Sequence, residues 1–308
     1  MSLYSMLQPK GPNGFGYGST AEEVTAGLSL GGKTFLITGC NSGLGLETAR
    51  VLALRGGRIF GTARTAEKAK AALASFGPST VGFACELSDP ASVRSSVKAV
   101  KAALGGSRID ALICNAGIMA LPQCERAHGL ERQFFTNHIG HFLLVTGLLD
   151  SLSDDGRVVM LSSAAHKSAP KGGIEFDNLS GERDYVPWKA YGQSKMANLL
   201  FAKELARRLE GSKRTANSVY PGVIPTNLSR HMNPVVRFVF GFGRGLVLKN
   251  VAQGAATSCY VAAHPGASLV SGQYFADCNV ATPRADGSDA ATAGKLWTVS
   301  EEIVARLP

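Results

Sequence analysis

From Lys33 onward, short apolar runs alternate with longer stretches in which apolar positions recur every three or four residues. The runs are Thr34–Thr38, Arg58–Ala63, Val81–Cys85, Ala111–Asn115, Val158–Ser162 and Thr215–Tyr220. They are too short for helices and nearly apolar throughout, as strands covered on both faces should be. Between them Leu44–Arg55, Ala66–Phe76, Ser92–Leu104, Leu130–Leu149 and Lys189–Leu209 carry helical periodicity. This alternation predicts an α/β fold, a doubly wound Rossmann-type parallel sheet of about seven strands in a single domain with helices on both faces. Ligands should then sit at the carboxyl ends of the strands.

Residues 1–32 precede this rhythm and read as an extension, in which Thr20 and Glu23 have capping-box spacing and predict a short helix. The domain is expected over 33–308. Two stretches, 168–188 and 226–249, break the alternation, and insertions of that length are usually functional or mobile. The second is rich in Val235, Val236, Phe238, Val239, Phe240 and Phe242. It reads as an apolar lid on the substrate side, or equally as a packed helix or subunit interface. Tyr185 and Trp188 are candidates for the opposite wall.

The candidate chemistry lies where strands end. Thr38-Gly39-x-Asn41-Ser42-Gly43-Leu44-Gly45 joins the first strand to the first helix, and glycines there let the backbone approach a pyrophosphate on exposed helix amides. The second strand ends in Thr62-Ala63-Arg64-Thr65. No carboxylate is placed to hold the ribose hydroxyls of NAD, whereas Arg64 can pair with the 2′-phosphate of NADP(H). The alternative for Arg64 is a solvent-exposed loop cation. Asn115-Ala116-Gly117 closes the fourth strand in a small turn, and Pro221-Gly222-Val223 with Thr226 follows the sixth.

Tyr191 and Lys195 fall on one helical face at i, i+4. A nearby ammonium stabilises a phenolate, so the phenol can move protons near neutral pH. Ser163 ends the fifth strand, where it either orients a substrate oxygen or caps a turn. Asn137 is read as a buried helical asparagine that needs partners and can hold water beside Lys195. His138 and His141 are read as structural, not as metal ligands.

Composition narrows the picture. Six cysteines are scattered without a Cys-x-x-Cys pair, which favours reduced thiols and a cytoplasmic, reducing compartment over disulfides or zinc. The formal net charge is +9, part of it between Lys203 and Arg214. That segment lacks interleaved aromatics, so it reads as a solvated helix end rather than a nucleic-acid surface. Peripheral contact with an anionic membrane stays open. The first ten residues lack the apolar core of a secretory signal, and no uninterrupted apolar stretch approaches the roughly 18 residues of a spanning helix.

Taken in order, these motifs resemble the short-chain dehydrogenase/reductase family from about Lys33 to the C-terminus. The resemblance implies that Gly39, Asn41, Ser42, Gly43, Leu44 and Gly45 cradle a dinucleotide, with Leu87 on the adenine side and Glu86 where the family commonly has aspartate. It further implies that Asn115, Ala116 and Gly117 line the cofactor path, that Pro221, Gly222, Val223 and Thr226 form the nicotinamide-side turn, and that Asn137, Ser163, Tyr191 and Lys195 are the catalytic tetrad. Asn137-His-Ile-Gly-His141-Phe-Leu-Leu, Ser162-Ser-Ala-Ala-His166 and Gly272-Gln-Tyr-Phe-Ala-Asp277-Cys-Asn resemble the retinol dehydrogenase-like branch. That branch also holds the WW-domain-containing oxidoreductase and, more distantly, protochlorophyllide reductases. Gly14-Phe-Gly-Tyr-Gly-Ser-Thr20 resembles the start of chloroplast Tic32-like members.

The implied activity is NADP(H)-dependent interconversion of a carbonyl and an alcohol on a mainly apolar small molecule, by a homodimer or a monomer. An NADP(H)-binding sensor and a carbon–carbon double-bond reductase are the alternatives. No WW domain is present, and the cysteine that follows the lysine in protochlorophyllide reductases is missing.

Overall fold

The computed structural model describes residues 8–224 and 248–308. Thr226 and nearly all of the 226–249 stretch lie outside the described residues.

The chain builds β1 (Thr34–Thr38), β2 (Arg58–Ala63), β3 (Thr80–Ala84) and β4 (Ile109–Cys114), then a small hairpin of β5 (Arg126–Ala127) and β6 (Leu130–Glu131). β7 (Leu152–Leu161), β8 (Thr215–Tyr220), β9 (Tyr274–Ala276) and β10 (Asn279–Ala281) follow. Eight of these form one sheet in the order β3-β2-β1-β4-β7-β8-β9-β10. Every neighbouring pair in it is parallel except β9 and β10. The strand order reverses between β1 and β4, which opens a crevice at their carboxyl ends.

The eighth strand exceeds the expected seven. It is a three-residue return joined to β9 through Asp277 and Cys278, both in the left-handed region at φ +53° and +64°. Without a glycine to mark it, that turn leaves little pattern in the sequence.

Alternation along the strands sends side chains to two cores. Phe35 and Ile37 of β1 face a cluster made with Ala49 and Leu52 of α2 (Gly43–Leu54) and Ala255 and Cys259 of α7 (Val251–Ala263). Leu36 faces the other way, toward Val93 and Val100 of α4 (Pro90–Leu104), Phe142 and Leu144 of α5 (Gly140–Leu148), Phe201 and Leu205 of α6 (Pro187–Arg208) and Trp297 of α8 (Ala290–Arg306). Phe201 and Trp297 stack with centroids 5.5 Å apart. Two further described helices are α1 (Ala21–Val24) and α3 (Ala66–Leu73).

The single helix expected over Leu130–Leu149 is instead interrupted. His128 and Gly129 both have positive φ and turn the β5–β6 hairpin, so Leu130 and Glu131 belong to a strand. A helical turn starts at Arg132, widens to a π turn over Phe135–Ile139, and resumes as α5. The basic stretch after Lys203 is largely engaged: Arg207 and Arg208 pair with buried Glu204, while Arg214 donates to the carbonyls of Leu152 and Ser153.

Residues 8–32 pack on this body. Thr20 and Glu23 form the expected capping box around α1, whose Ala21 and Val24 are buried. Asn13 Nδ2 donates to Cys278 O (2.7 Å) and Asn279 Nδ2 to Phe15 O (3.1 Å). Phe15 meets Tyr260 and His264 edge-on, at 5.8 and 5.6 Å. Phe15→Ala is expected to lower the unfolding free energy by about 2–3 kcal/mol, because it empties a partly buried aromatic site. A denaturant melt with unchanged midpoint would show that the segment adds nothing to the core.

Candidate active site

The glycine turn forms because two segments touch. Gly39 and Gly43 have φ +68° and +56°, where side chains are disfavoured. Gly45 is helical, but a Cβ there would lie 2.5 Å from Asn115 Nδ2. Asn115 Nδ2 donates to Thr38 O at 2.8 Å, so the first and fourth strand ends are tied directly. Gly117 is tight against the next element, since a Cβ would sit 2.9 Å from Asn137 Oδ1.

A cavity of about 440 Å³ opens on this junction. Gly39, Ser42, Gly43, Leu44, Arg64, Glu86, Leu87, Asn115, Ala116 and Gly117 all line it, as the motifs require. Asn41 and Gly45 do not: Asn41 is exposed, and Gly45 is buried against Gly39 and Asn115. Arg64 is exposed and makes no hydrogen bond or ion pair with the described residues. Glu86 has its carboxylate turned to Ser88, accepting from its amide and hydroxyl at 3.1 and 2.8 Å. The donor set fits a dinucleotide: helix amides behind glycines for the pyrophosphate, an uncommitted guanidinium, and apolar Leu87 for a base.

Leu161, at the end of β7, also lines the cavity, and its carbonyl holds the lysine of the catalytic candidates. It accepts from Lys195 Nζ at 3.1 Å and from Asn198 Nδ2 at 3.0 Å. Ser162 Oγ donates to Lys195 O at 2.8 Å, holding α6 against the same strand end. Ser163 caps the turn Ala164–Ser168 by accepting from Ala165 N (3.2 Å), and it is near enough to the Tyr191 phenol to favour its ionised form. Ser163 thus caps a turn while standing beside Tyr191.

Lys195 Nζ lies 5.7 Å from the centroid of the Tyr191 ring. Burial pushes the Tyr191 phenol up to about 12, opposed by the Ser163 hydrogen bond. Burial lowers Lys195 to about 8. The phenol is thus raised, not lowered as expected, because desolvation disfavours the phenolate.

Asn137 holds the walls together. Its Nδ2 donates to Ile118 O and to Ser194 Oγ, both at 2.9 Å, and its Oδ1 accepts from Ile118 N at 2.8 Å. Ser194 Oγ donates in turn to Tyr191 O. Both amide hydrogens are spent on protein, so none is left for a water beside Lys195. Pro221 is buried, Gly222 has φ +95° against the Lys249 side chain, and Val223 is exposed. Tyr185 is not a free wall: its hydroxyl donates to Leu121 O and accepts from Gln133 Nε2. Trp188 remains half-exposed, edge-on to Tyr191 at 6.0 Å.

Several contributors escaped the sequence reading. Ile118, Glu125 and Arg132 line the cavity, the last two paired with each other. Gly140 lets α5 approach Leu87, to whose Cβ a Gly140 Cβ would lie only 2.9 Å. A glycine inside a helix was the one available signal, and it needed a known neighbour to be read.

A glycine turn at the sheet's crevice, with tyrosine, lysine and serine at the next strand end, defines a dinucleotide-dependent oxidoreductase. Residues 33–236 match the short chain dehydrogenase family, and the chain belongs to it. It is 43% identical to "Short-chain dehydrogenase TIC 32 A, chloroplastic" of Brassica napus, over 100% of both chains. It is 38% identical to human "Retinol dehydrogenase 11", covering 91% of this chain and 88% of that one. A solved structure of an uncharacterised protein from Mycobacterium paratuberculosis superposes with a TM-score of 0.73 at 34% identity, covering 94% of this chain and 98% of that one. Among the described residues no helix is long and apolar enough to cross a membrane.

The depressed Lys195 has a stability signature. Between about pH 8 and its ordinary value of 10.5, the unfolded chain holds a proton that the folded chain has released, so stability should rise with pH. Denaturation midpoints of the wild type are expected to climb from pH 8 toward 10 relative to Lys195→Met. Parallel pH curves would show that the lysine is not depressed.

Proposed function

We propose that this chain is an NADP(H)-dependent oxidoreductase that interconverts a carbonyl and an alcohol on a mainly apolar small molecule. The observation that carries this is that Lys195 stands 5.7 Å from the Tyr191 ring and bonds the last carbonyl of β7, with Ser163 two residues further on, beside a cavity lined by the glycine turn. A nicotinamide held in this cavity would supply or take up the hydride. In reduction, Tyr191 gives its phenolic proton to the developing alkoxide, and in oxidation it takes that proton back. Ser163 holds the same oxygen and offsets its partial charge. Lys195, as an ammonium, favours the tyrosinate that reduction leaves and oxidation starts from, and this opposes the effect of burial.

NADP(H) is favoured over NAD(H) by Arg64, which has no partner among the described residues and no carboxylate beside it at the tip of β2. An apolar substrate is favoured by half-exposed Trp188 against Tyr191 and by exposed Val186 and Val223. The names of the retinol dehydrogenase relatives point the same way. The proposed location is the cytoplasm, resting on six unpaired thiols, five of them buried. Two of the relatives are named chloroplastic, and fractionation of the source cells would decide between the compartments.

Tyr191→Phe should abolish turnover of a ketone and alcohol panel while NADPH still binds with wild-type affinity. Full activity in that variant removes Tyr191 from the chemistry. Saturable NADPH binding without wild-type turnover on the panel would identify a nucleotide sensor instead. Cofactor choice is tested by catalytic efficiency. NADPH should exceed NADH by at least about tenfold, and Arg64→Ala should erase most of that difference through the lost phosphate pair. Equal use of both cofactors by the wild type would refute the role of Arg64.

A further inference from the structure

Three of the motifs meet at one side chain to which the sequence gives no chemical role. His141 lies in the first turn of α5, wholly buried, one helical turn after Asn137. Its Nδ1 is 2.9 Å from Asn137 O, and its Nε2 is 2.9 Å from Thr38 Oγ1. Thr38 Oγ1 is in turn 2.9 Å from the amide nitrogen of Ala116.

The proton positions follow from the partners. A carbonyl oxygen has no hydrogen to give, so Nδ1 carries the proton and donates to Asn137 O. Burial, aided by the nearby Lys195 charge, lowers the pKa of His141 to about 4 and keeps the ring neutral. Nε2 is therefore bare and accepts. Thr38 must spend its one hydroxyl hydrogen on Nε2, which leaves its oxygen free to accept from the Ala116 amide. A fixed tautomer thus sets the direction of every bond in the chain from Ala116 to Asn137.

We propose that His141 is a positioning residue for the cofactor: its imidazole orients the Thr38 hydroxyl as acceptor for the Ala116 amide and so locks the glycine turn, the Asn115–Gly117 turn and the Asn137 turn into one unit. The tolerance of that unit is small, because a Cβ at Gly39 would already lie 3.1 Å from Ala116 Cα. The inference rests on the dinucleotide reading of the cavity.

The test is NADPH affinity, measured by fluorescence titration, together with hydrogen exchange at the Ala116 amide. Glutamine can place an acceptor where Nε2 stood, whereas asparagine reaches only the Nδ1 position. His141→Gln and Thr38→Ser should bind within about threefold of wild type. His141→Asn and Thr38→Val should bind about tenfold more weakly, the equivalent of one buried hydrogen bond. The double variant Thr38→Val/His141→Asn should be no weaker than Thr38→Val alone, since both remove the same link. Equal affinities for His141→Gln and His141→Asn, or additive losses in the double variant, would overturn the proposal. If His141→Asn does not fold, His141→Met fills the volume without the acceptor and takes its place in the same comparison. A wild type that binds neither NADPH nor NADH overturns the dinucleotide reading, and exchange then judges His141 alone. Protection of the Ala116 amide should survive in the Gln and Ser variants and fall in the Asn and Val variants, and the reverse pattern refutes the role.

Discussion

An ammonium removed from water without a counter-ion is the most demanding element of this molecule. Lys195 is 4% exposed, and no carboxylate among the described residues pairs with it. An isolated buried charge costs several kcal/mol unless protein dipoles replace its hydration. Here the Leu161 carbonyl faces it at the end of β7, and Ser162 pins the lysine's own backbone to that strand. The carbonyl end of a central parallel strand is a fixed dipole that the sheet holds in place whatever else moves. A carboxylate partner would have stabilised the ammonium better, but it would also have neutralised the field that acts on Tyr191.

The same logic explains why α6 is buried along most of its length. Tyr191, Ser194, Lys195 and Asn198 all point into the protein, and each is matched by a polar group on a neighbouring element. A helix with this many buried polar groups is stable only where those partners are already positioned. The sheet supplies one set through β7, and the Asn137 turn supplies another through Ser194. Catalytic geometry and folding specificity are therefore carried by the same hydrogen bonds.

Much of this was legible in the chain. The strands from Thr34–Thr38 to Thr215–Tyr220 announced themselves as apolar runs because a parallel sheet covered on both faces leaves no polar side. The glycine turn and the Tyr191–Lys195 pair were readable because close backbone approach and a shared helical face both impose a spacing. What stayed hidden depends on partners distant in sequence. The β10 return has only three residues and a turn without glycine. Tyr185 looked like a free aromatic until Leu121 and Gln133 claimed its hydroxyl. The desolvation that raises the Tyr191 phenol is set by the whole fold, whereas the helical spacing to Lys195 conveys only the opposing effect.

The π turn at Phe135–Ile139 has a consequence for how such a chain can diverge. One residue in an α-helix corresponds to about 100° of rotation. The turn accommodates one residue more than a regular helical turn would, so it sets the phase between Phe134 upstream and His141 downstream. Loss of a single residue from this segment would restore a regular helix and swing Asn137 away from Ile118, with every codon elsewhere unchanged. Substitutions can drift gradually along most of this chain, but length is quantised here. Relatives that keep the chemistry should keep both Asn137 and the residue count of this segment.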